Sequence, residues 1–214
     1  MATRIQGYYA ILDVTGSSYD EAALLASARE LLAARPCCLQ LRAKQLPLVD
    51  FCRLGHALRI LCTQAEVPFC INDRLDVALA VSADIIHLGQ GDLPLGEARR
   101  VLAATPAGEM LIGVSTHNLE QAKEAQAGGA DYLGFGPVFP TATKTDADPA
   151  VGLSPLEKVA AAVSLPIVAI GGITLENVEA VARAGAAAAA AIAAVERAPD
   201  RAAAGRAIAR VFGG

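Results

Sequence analysis

The stretch from residue 69 to residue 88 reads FCINDRLDVALAVSADIIHL, and its pattern decides the fold class. It begins with the short apolar run Phe69–Ile71 and ends with a second one, Ile85–Leu88. A longer amphipathic segment separates the two runs. Short apolar runs that alternate with helical segments are typical of parallel strands joined by crossover helices.

The same alternation extends in both directions along the 214 residues of the chain. The strand-like runs are Tyr8–Leu12, Cys38–Arg42, Phe69–Ile71, Ile85–Leu88, Leu111–Val114, Tyr132–Phe135, Ile167–Ile170 and Ala187–Ala193. The last depends on its place in the order, because alanine is a poor strand former. Eight strand–helix repeats in about 200 residues predict a (β/α)8 TIM barrel, a single domain over residues 1–214. The alternative, an open doubly wound sheet, needs a Gly-x-Gly-x-x-Gly motif after the first strand, which Asp13–Gly16 does not supply.

Composition narrows the class of protein. A hydrophobic content of 54% excludes a disordered chain, and the net charge of −4 argues against a nucleic-acid partner. No apolar stretch is long enough to span a bilayer, and the N-terminus lacks a signal sequence. The five cysteines have no metal-binding or redox spacing, so we expect reduced thiols. A cytoplasmic protein with small-molecule partners is therefore expected.

Polar residues end the second strand-like run at a spacing of two. Gln40, Arg42 and Lys44 share one face of a strand, because successive side chains alternate. Functional groups of such barrels lie at the carboxyl ends of the strands, and inward-pointing polar groups are costly without a partner. The pattern favours ligand binding, and a solvated strand end with Lys44 in a loop is the alternative.

Two carboxylates, Asp73 and Asp92, follow the third and fourth runs. Neighbouring strands bring them together, and two carboxylates repel each other unless a cation or proton lies between them. Oxygen ligands without His or Cys suit Mg²⁺, which keeps waters and bridges to substrate phosphates. The alternative is a pair of helix caps with a salt bridge from Asp73 to Arg74 or Arg42. The spacing alone favours neither.

Glycines follow the seventh run. Gly171 and Gly172 precede a helix that Thr174 is expected to open, and the eighth run is expected to end near Ile192 and Ala193. The loops after strands 7 and 8 form the recurrent phosphate site of these barrels. Glycines allow close approach of the backbone to an anion, and a helix N-terminus offers free N–H groups. A phosphate site is therefore favoured over a simple tight turn.

The irregular segment 136–154 follows the sixth run and carries Thr141, Thr143 and Lys144. A loop of more than about 12 residues inside a compact domain is usually functional or disordered. Hydroxyl groups and a lysine suit a second anion, and an ordinary surface loop is the alternative.

The remaining candidates are histidines and a serine. His56 is expected to be a surface or packing residue and His87 a hydrogen-bonded barrel histidine, whereas Ser115 and His117 follow strand 5 at the mouth of the barrel. No Gly-x-Ser-x-Gly motif is present, which argues against a hydrolase triad.

Five motifs in order resemble those of the thiamine-phosphate synthase family across about residues 7–195. They are Gln40-Leu41-Arg42-Ala43-Lys44, Asn72–Ala78 with His87–Leu93, Gly113–His117, Gly134–Lys144 and Ala169–Ile173. The resemblance implies a transferase that joins 4-amino-2-methyl-5-hydroxymethylpyrimidine diphosphate to thiazole phosphate or its carboxylated form. Pyrophosphate leaves first in a dissociative, Mg²⁺-assisted step, and the thiazole nitrogen captures the resulting cation.

The resemblance also implies a role for each matching residue. Lys144, Ser115 and Arg42 are the expected catalytic residues, and Asp73 and Asp92 the expected Mg²⁺ ligands. The residues expected to bind the pyrimidine diphosphate are Gln40, Arg42, Lys44, Asn72, Ser115 and Lys144. Those expected to receive the thiazole phosphate are Thr141, Thr143, Gly172, Ile192 and Ala193.

The chain departs from the family at Ala193, where the family usually has a serine. The missing hydroxyl predicts weaker thiazole-phosphate binding. Two other functions stay open: a thiazole tautomerase of the same fold, which needs neither diphosphate nor metal, and a ligand-binding barrel without turnover. The role of His117 and the choice between monomer and homo-oligomer also stay open.

Overall fold

The computed structural model describes residues 5–141 and 149–213. Across these ranges eight parallel strands close into a barrel, in which each strand pairs with the next and the last pairs with the first. The strands are β1 (Gly7–Asp13), β2 (Cys38–Arg42), β3 (Phe69–Asn72), β4 (Ile85–Leu88), β5 (Leu111–Thr116), β6 (Tyr132–Phe135), β7 (Ile167–Ile170) and β8 (Ala188–Ala190). The predicted TIM barrel is confirmed.

Helices surround the barrel. Those in the described ranges are α1 (Glu21–Leu32), α2 (Leu48–Ala65), α3 (Leu75–Ala80), α4 (Leu95–Ala103), α5 (Leu119–Ala127), α6 (Leu153–Ala162), α7 (Val178–Arg183), α8 (Ile192–Glu196) and α9 (Arg201–Val211). None of the helices in this described part of the chain is long and apolar enough to cross a membrane.

Two apolar layers hold the barrel together. The larger lies between strands and helices and contains Leu39 and Leu41, which are fully buried. The smaller fills the barrel interior and contains Tyr9, Cys70 and Tyr132. Side chains alternate between the two layers along each strand. The inward-facing side chains near the carboxyl ends of the strands are therefore available to line a functional site.

Two sequence-based boundaries are wrong. Strand β8 ends at Ala190, so Ile192 and Ala193 open helix α8 rather than end a strand. Alanine favours helix over strand once the barrel register ends. Helix α7 begins at Val178 and not at Thr174. The reason is Asn177, whose side chain accepts from the Thr174 N–H at 2.8 Å and donates to the Gly172 carbonyl at 3.0 Å, which holds this segment in a turn.

Candidate active site

A cavity of about 380 Å³ opens at the carboxyl ends of the strands, and we call it the mouth cavity. It brings together sequence-predicted site residues from seven strands, each at the carboxyl end of its strand or in the segment that follows it. Those lining it are Gln40, Arg42, Lys44, Asn72, Asp73, Asp92, Ser115, Thr141, Gly172, Ile192 and Ala193. Thr143 and Lys144 lie outside the described residues.

The backbone aims the two acidic side chains at each other. Asp73 has a φ of +66°, a left-handed conformation that Asp adopts more readily than most residues. Its N–H donates to the His87 carbonyl at 2.8 Å, which ties the end of β3 to β4. Asp92 accepts the Gly89 N–H at 2.7 Å and thereby folds its loop back toward β4.

The acidic pair is electrostatically strained. Burial, together with the neighbouring Asp92 carboxylate, raises the pKa of Asp73 from 3.8 to about 6, while Lys44 and Arg42 oppose the rise. The alternative of a salt bridge from Asp73 to Arg74 or Arg42 is wrong within the described residues. Arg74 pairs with Asp76, and Arg42 pairs with a different carboxylate.

That carboxylate is Asp13, a site residue that the sequence analysis missed. Nη1 of Arg42 donates to both of its carboxylate oxygens, at 2.7 and 3.0 Å. The side chains are only 14% and 8% exposed, so solvent screens this pair weakly. Because a single nitrogen makes both contacts, the rest of the Arg42 fork remains for an anion in the mouth cavity.

Gln40 and Ser115 are both fixed by hydrogen bonds. Nε2 of Gln40 donates to the Tyr9 hydroxyl at 2.9 Å, so the amide oxygen is directed elsewhere. The Ser115 hydroxyl lies 2.9 Å from Nε2 of His87, and its carbonyl accepts from Gln90 at 2.6 Å. His87 is therefore hydrogen-bonded as expected, but to a candidate catalytic residue.

The glycine loop after β7 packs against the loop after β6. Gly172 has a φ of +61°, and a Cβ there would lie 2.5 Å from the Pro140 carbonyl oxygen. Glycine is thus required by packing alone. The first turn of α8, at Ile192 and Ala193, presents N–H groups that have no acceptor within the helix. His117 also lines the mouth cavity, with its Nδ1–H donating to the Gly136 carbonyl at 2.5 Å.

The acidic pair suits Mg²⁺ in its donor chemistry. Among the described residues, no group of three or more His, Cys, Asp and Glu side chains is arranged to hold a metal ion. Mg²⁺ needs no such cage, since it binds through one or two carboxylates and completes its shell with water and phosphate oxygens. Asp73 and Asp92 supply that number of ligands, and a cation between them would relieve their repulsion.

Fold and site together define a class of protein. A TIM barrel whose mouth joins an acidic pair to arginine and lysine side chains, beside glycine loops, is an enzyme for phosphorylated small molecules.

Comparisons with known proteins identify the family. The family model for thiamine monophosphate synthase matches residues 11–195. A thiamine-phosphate synthase from Methanospirillum hungatei is 49% identical over 85% of this chain and 86% of its own length. One from Moorella thermoacetica is 44% identical over 86% and 85%. The chain belongs to the thiamine monophosphate synthase family.

Solved structures agree. Thiamine phosphate pyrophosphorylase from Pyrococcus furiosus superposes with a TM-score of 0.83 at 35% identity, covering 97% of this chain and 96% of that one. A 3-hexulose-6-phosphate synthase, at 19% identity and a TM-score of 0.69 over 96% of this chain and 99% of that one, shares the barrel fold alone.

Proposed function

We propose that this enzyme forms thiamine phosphate and pyrophosphate from the pyrimidine diphosphate and thiazole phosphate, with Mg²⁺ as its metal. Family membership supports the transferase activity. The observation that carries the proposal is the acidic pair beside Arg42 and Lys44 in one cavity. A tautomerase has no diphosphate to hold and needs neither carboxylates for a metal nor cations for a leaving group.

The diphosphate belongs at the β2–β4 side of the mouth cavity. Arg42 and Lys44 would neutralise its charge, with Arg42 already oriented by Asp13. Asn72 is buried at the end of β3 and offers an amide toward the same wall. A charged ligand gains most from such groups because they are already in place before the reaction begins.

The metal belongs to Asp73 and Asp92. When bound there, Mg²⁺ supplies charge neutralisation to the departing diphosphate. The two carboxylates hold the metal, and their mutual repulsion favours its uptake.

The chemical step needs no protein nucleophile. Ser115 lies on the cavity wall, where its hydroxyl can donate to the leaving group, and Arg42 stabilises the developing charge. Lys144, outside the described residues, is proposed to do the same. The barrel positions the thiazole nitrogen against the pyrimidine carbon, so that capture of the cation precedes attack by water.

The thiazole phosphate belongs at the β7–β8 side. Thr141 and the backbone N–H groups at Gly172, Ile192 and Ala193 would receive it, together with Thr143 from the segment outside the described residues. Cytoplasmic location is also part of the proposal, and the five free thiols support a reducing compartment.

The test is incubation with both substrates and Mg²⁺, followed by chromatography for thiamine phosphate and an assay for pyrophosphate. The proposal expects equal amounts of both products and no reaction with chelator. Isomerised thiazole without pyrophosphate would identify a tautomerase. Binding of either substrate without any product would identify a ligand-binding barrel.

A further inference from the structure

A chain of hydrogen bonds joins the barrel interior to the mouth cavity, and we call it the tyrosine–histidine chain. The Tyr9 and Tyr132 hydroxyl oxygens lie 2.8 Å apart. The Tyr132 hydroxyl lies 3.0 Å from Nδ1 of His87, and Nε2 of His87 lies 2.9 Å from Oγ of Ser115. The tyrosine–histidine chain thus ends on the hydroxyl group of Ser115, which lines the mouth cavity.

Two glycines make room for this chain. Gly113 pairs with His87 on one side and Tyr132 on the other, and its missing Cβ would lie 2.1 Å from the Tyr132 ring. Gly134 pairs with Ser115, and a Cβ there would lie 3.0 Å from the His87 ring. The Tyr132 and His87 rings therefore occupy the space that side chains at Gly113 and Gly134 would fill. Their contact depends on these two glycines.

The hydrogen bonds of the tyrosine–histidine chain can all be donated in either of two directions. In the inward direction Ser115 donates to His87, His87 to Tyr132, Tyr132 to Tyr9, and Tyr9 to Sγ of Cys70 at 3.5 Å. In the outward direction Tyr9 donates to Tyr132, Tyr132 to His87 and His87 to Ser115, and Tyr9 still accepts from the amide of Gln40. Burial raises the pKa of both phenols well above the ordinary value, so they remain neutral donors in either direction.

A bound anion distinguishes the directions. Inward donation turns the lone pairs of Ser115 toward the cavity, where they would repel a phosphate oxygen. Outward donation occupies one lone pair and leaves the Ser115 proton to face the anion. Aligned donors along a chain also polarise one another, which strengthens the last bond.

We propose that His87 is a positioning residue, whose Nε2–H donates to Ser115 so that the serine hydroxyl donates to the leaving diphosphate. This inference rests on the proposed function of the mouth cavity. In this proposal His87 acts through Ser115 and not on a reacting atom. Its contribution grows as charge develops on the leaving group, so it acts on kcat more than on KM.

A pair of amide variants tests the direction. The side-chain nitrogen of glutamine can take the place of Nε2, whereas asparagine is too short to reach Ser115. His87→Asn should lower kcat about tenfold with the KM for the pyrimidine diphosphate changed less than about twofold, and His87→Gln should recover most of the loss. Equal losses in both variants would overturn the proposal. His56→Asn, on the exposed face of α2, is the matched control.

The effect of His87→Asn on kcat should depend on the presence of Ser115. In a Ser115→Ala background, His87→Asn should lower kcat by less than about twofold, because the group it positions is gone. A further loss as large as that in the parent would assign His87 a structural role and overturn the proposal.

The closing experiment reads the tautomer directly, in the unmodified protein. Nitrogen-15 NMR of histidine-labelled protein with Mg²⁺ and pyrophosphate should show His87 neutral, with its proton on Nε2, and the His87→Gln spectrum assigns the signal. A proton on Nδ1 or a charged ring would overturn the inference. This readout needs no turnover, so failure to make thiamine phosphate would count against the proposed function and leave the tautomer result standing.

Discussion

The two ends of the barrel use aspartate in opposite ways. At the amino end, Asp84 and Asp131 each precede a strand and each accept the N–H of the neighbouring strand, from Phe69 at 2.7 Å and Ile112 at 2.6 Å. Each also pairs with an arginine at 2.5 Å. Their charges are satisfied by the protein itself.

At the carboxyl end, Asp73 and Asp92 face each other. Neither pairs within 4.0 Å with a basic side chain of the described residues, and the pKa of Asp73 is raised to about 6. An aspartate that pairs with an arginine and a backbone N–H serves stability. Asp92 accepts the Gly89 N–H, but the acidic pair has no arginine or lysine partner among the described residues, so its charge is left for a ligand.

The largest expected effect comes from breaking the acidic pair. Asp92→Asn should lower kcat roughly 100-fold, because several kcal/mol of charge neutralisation is lost. Steady-state kinetics with saturating substrates and Mg²⁺ measures it. The matched control, Asp131→Asn at the amino end, should keep kcat within about twofold. Similar losses of kcat in the two variants would contradict the proposed difference between the two ends of the barrel.

The reverse pattern is expected for stability. Asp131→Ala leaves the Ile112 N–H without its acceptor and Arg99 without its ion pair, so unfolding should become easier by about 2 kcal/mol. The Tm should fall by about 4–8 °C. Thermal unfolding followed by circular dichroism checks this. An unchanged Tm would show that the amino-end carboxylates do not stabilise the fold.

A smaller effect is expected at the β7–β8 side. Ala193→Ser restores one hydrogen bond to a charged group and should lower the KM for thiazole phosphate roughly tenfold. The value of kcat should stay nearly constant, since the contact binds substrate and transition state alike. Kinetics with each substrate varied in turn gives the answer. A change confined to the pyrimidine constants would mean that the two substrate positions are exchanged.

The smallest effect is a pH dependence of stability in metal-free protein. Asp73 binds its proton more tightly in the folded state, where the pKa is about 6, than at the ordinary value of 3.8. Its stabilising contribution is therefore complete below about pH 4 and is lost as the pH rises through 6. Asp73→Asn should remove this loss and raise the free energy of unfolding by about 1 kcal/mol at pH 8. Solvent screening is included in this figure.

Urea unfolding in excess chelator, at several values between pH 4 and pH 8, measures that gain. Asp76→Asn is an informative control, because Arg74 lowers the pKa of Asp76. That variant should lose stability above pH 4, the opposite sign. Identical pH profiles for the Asp73 variant and the parent would disprove the strain in the acidic pair.

The sequence predicted what depends on order and alternation. Seven of the strand-like runs coincide with strands to within two residues at each end, and the polar residues at their ends meet in one cavity. The predicted end of the alanine run is wrong, because alanine gives no strand signal to mark where Ala190 ends β8 and Ile192 begins α8.

The sequence did not predict the contacts between side chains of different strands. Asp13 stands at the end of β1, which was the available signal, but its pairing with Arg42 needs the β1–β2 register. The contact of His87 with Ser115 needs in addition the space left by Gly134. Neither register nor missing volume can be read from the spacing of residues along one strand.

Pyrophosphate binding, measured by calorimetry with and without Mg²⁺, tests whether the acidic pair holds the metal. Three proteins are compared: the parent, a D73N/D92N variant and a D84N/D131N variant. Mg²⁺ should tighten pyrophosphate binding at least about tenfold in the parent and the amino-end variant, and should have no effect in D73N/D92N. Equal tightening in all three proteins, or none in the parent, would contradict the assignment of the metal to the acidic pair.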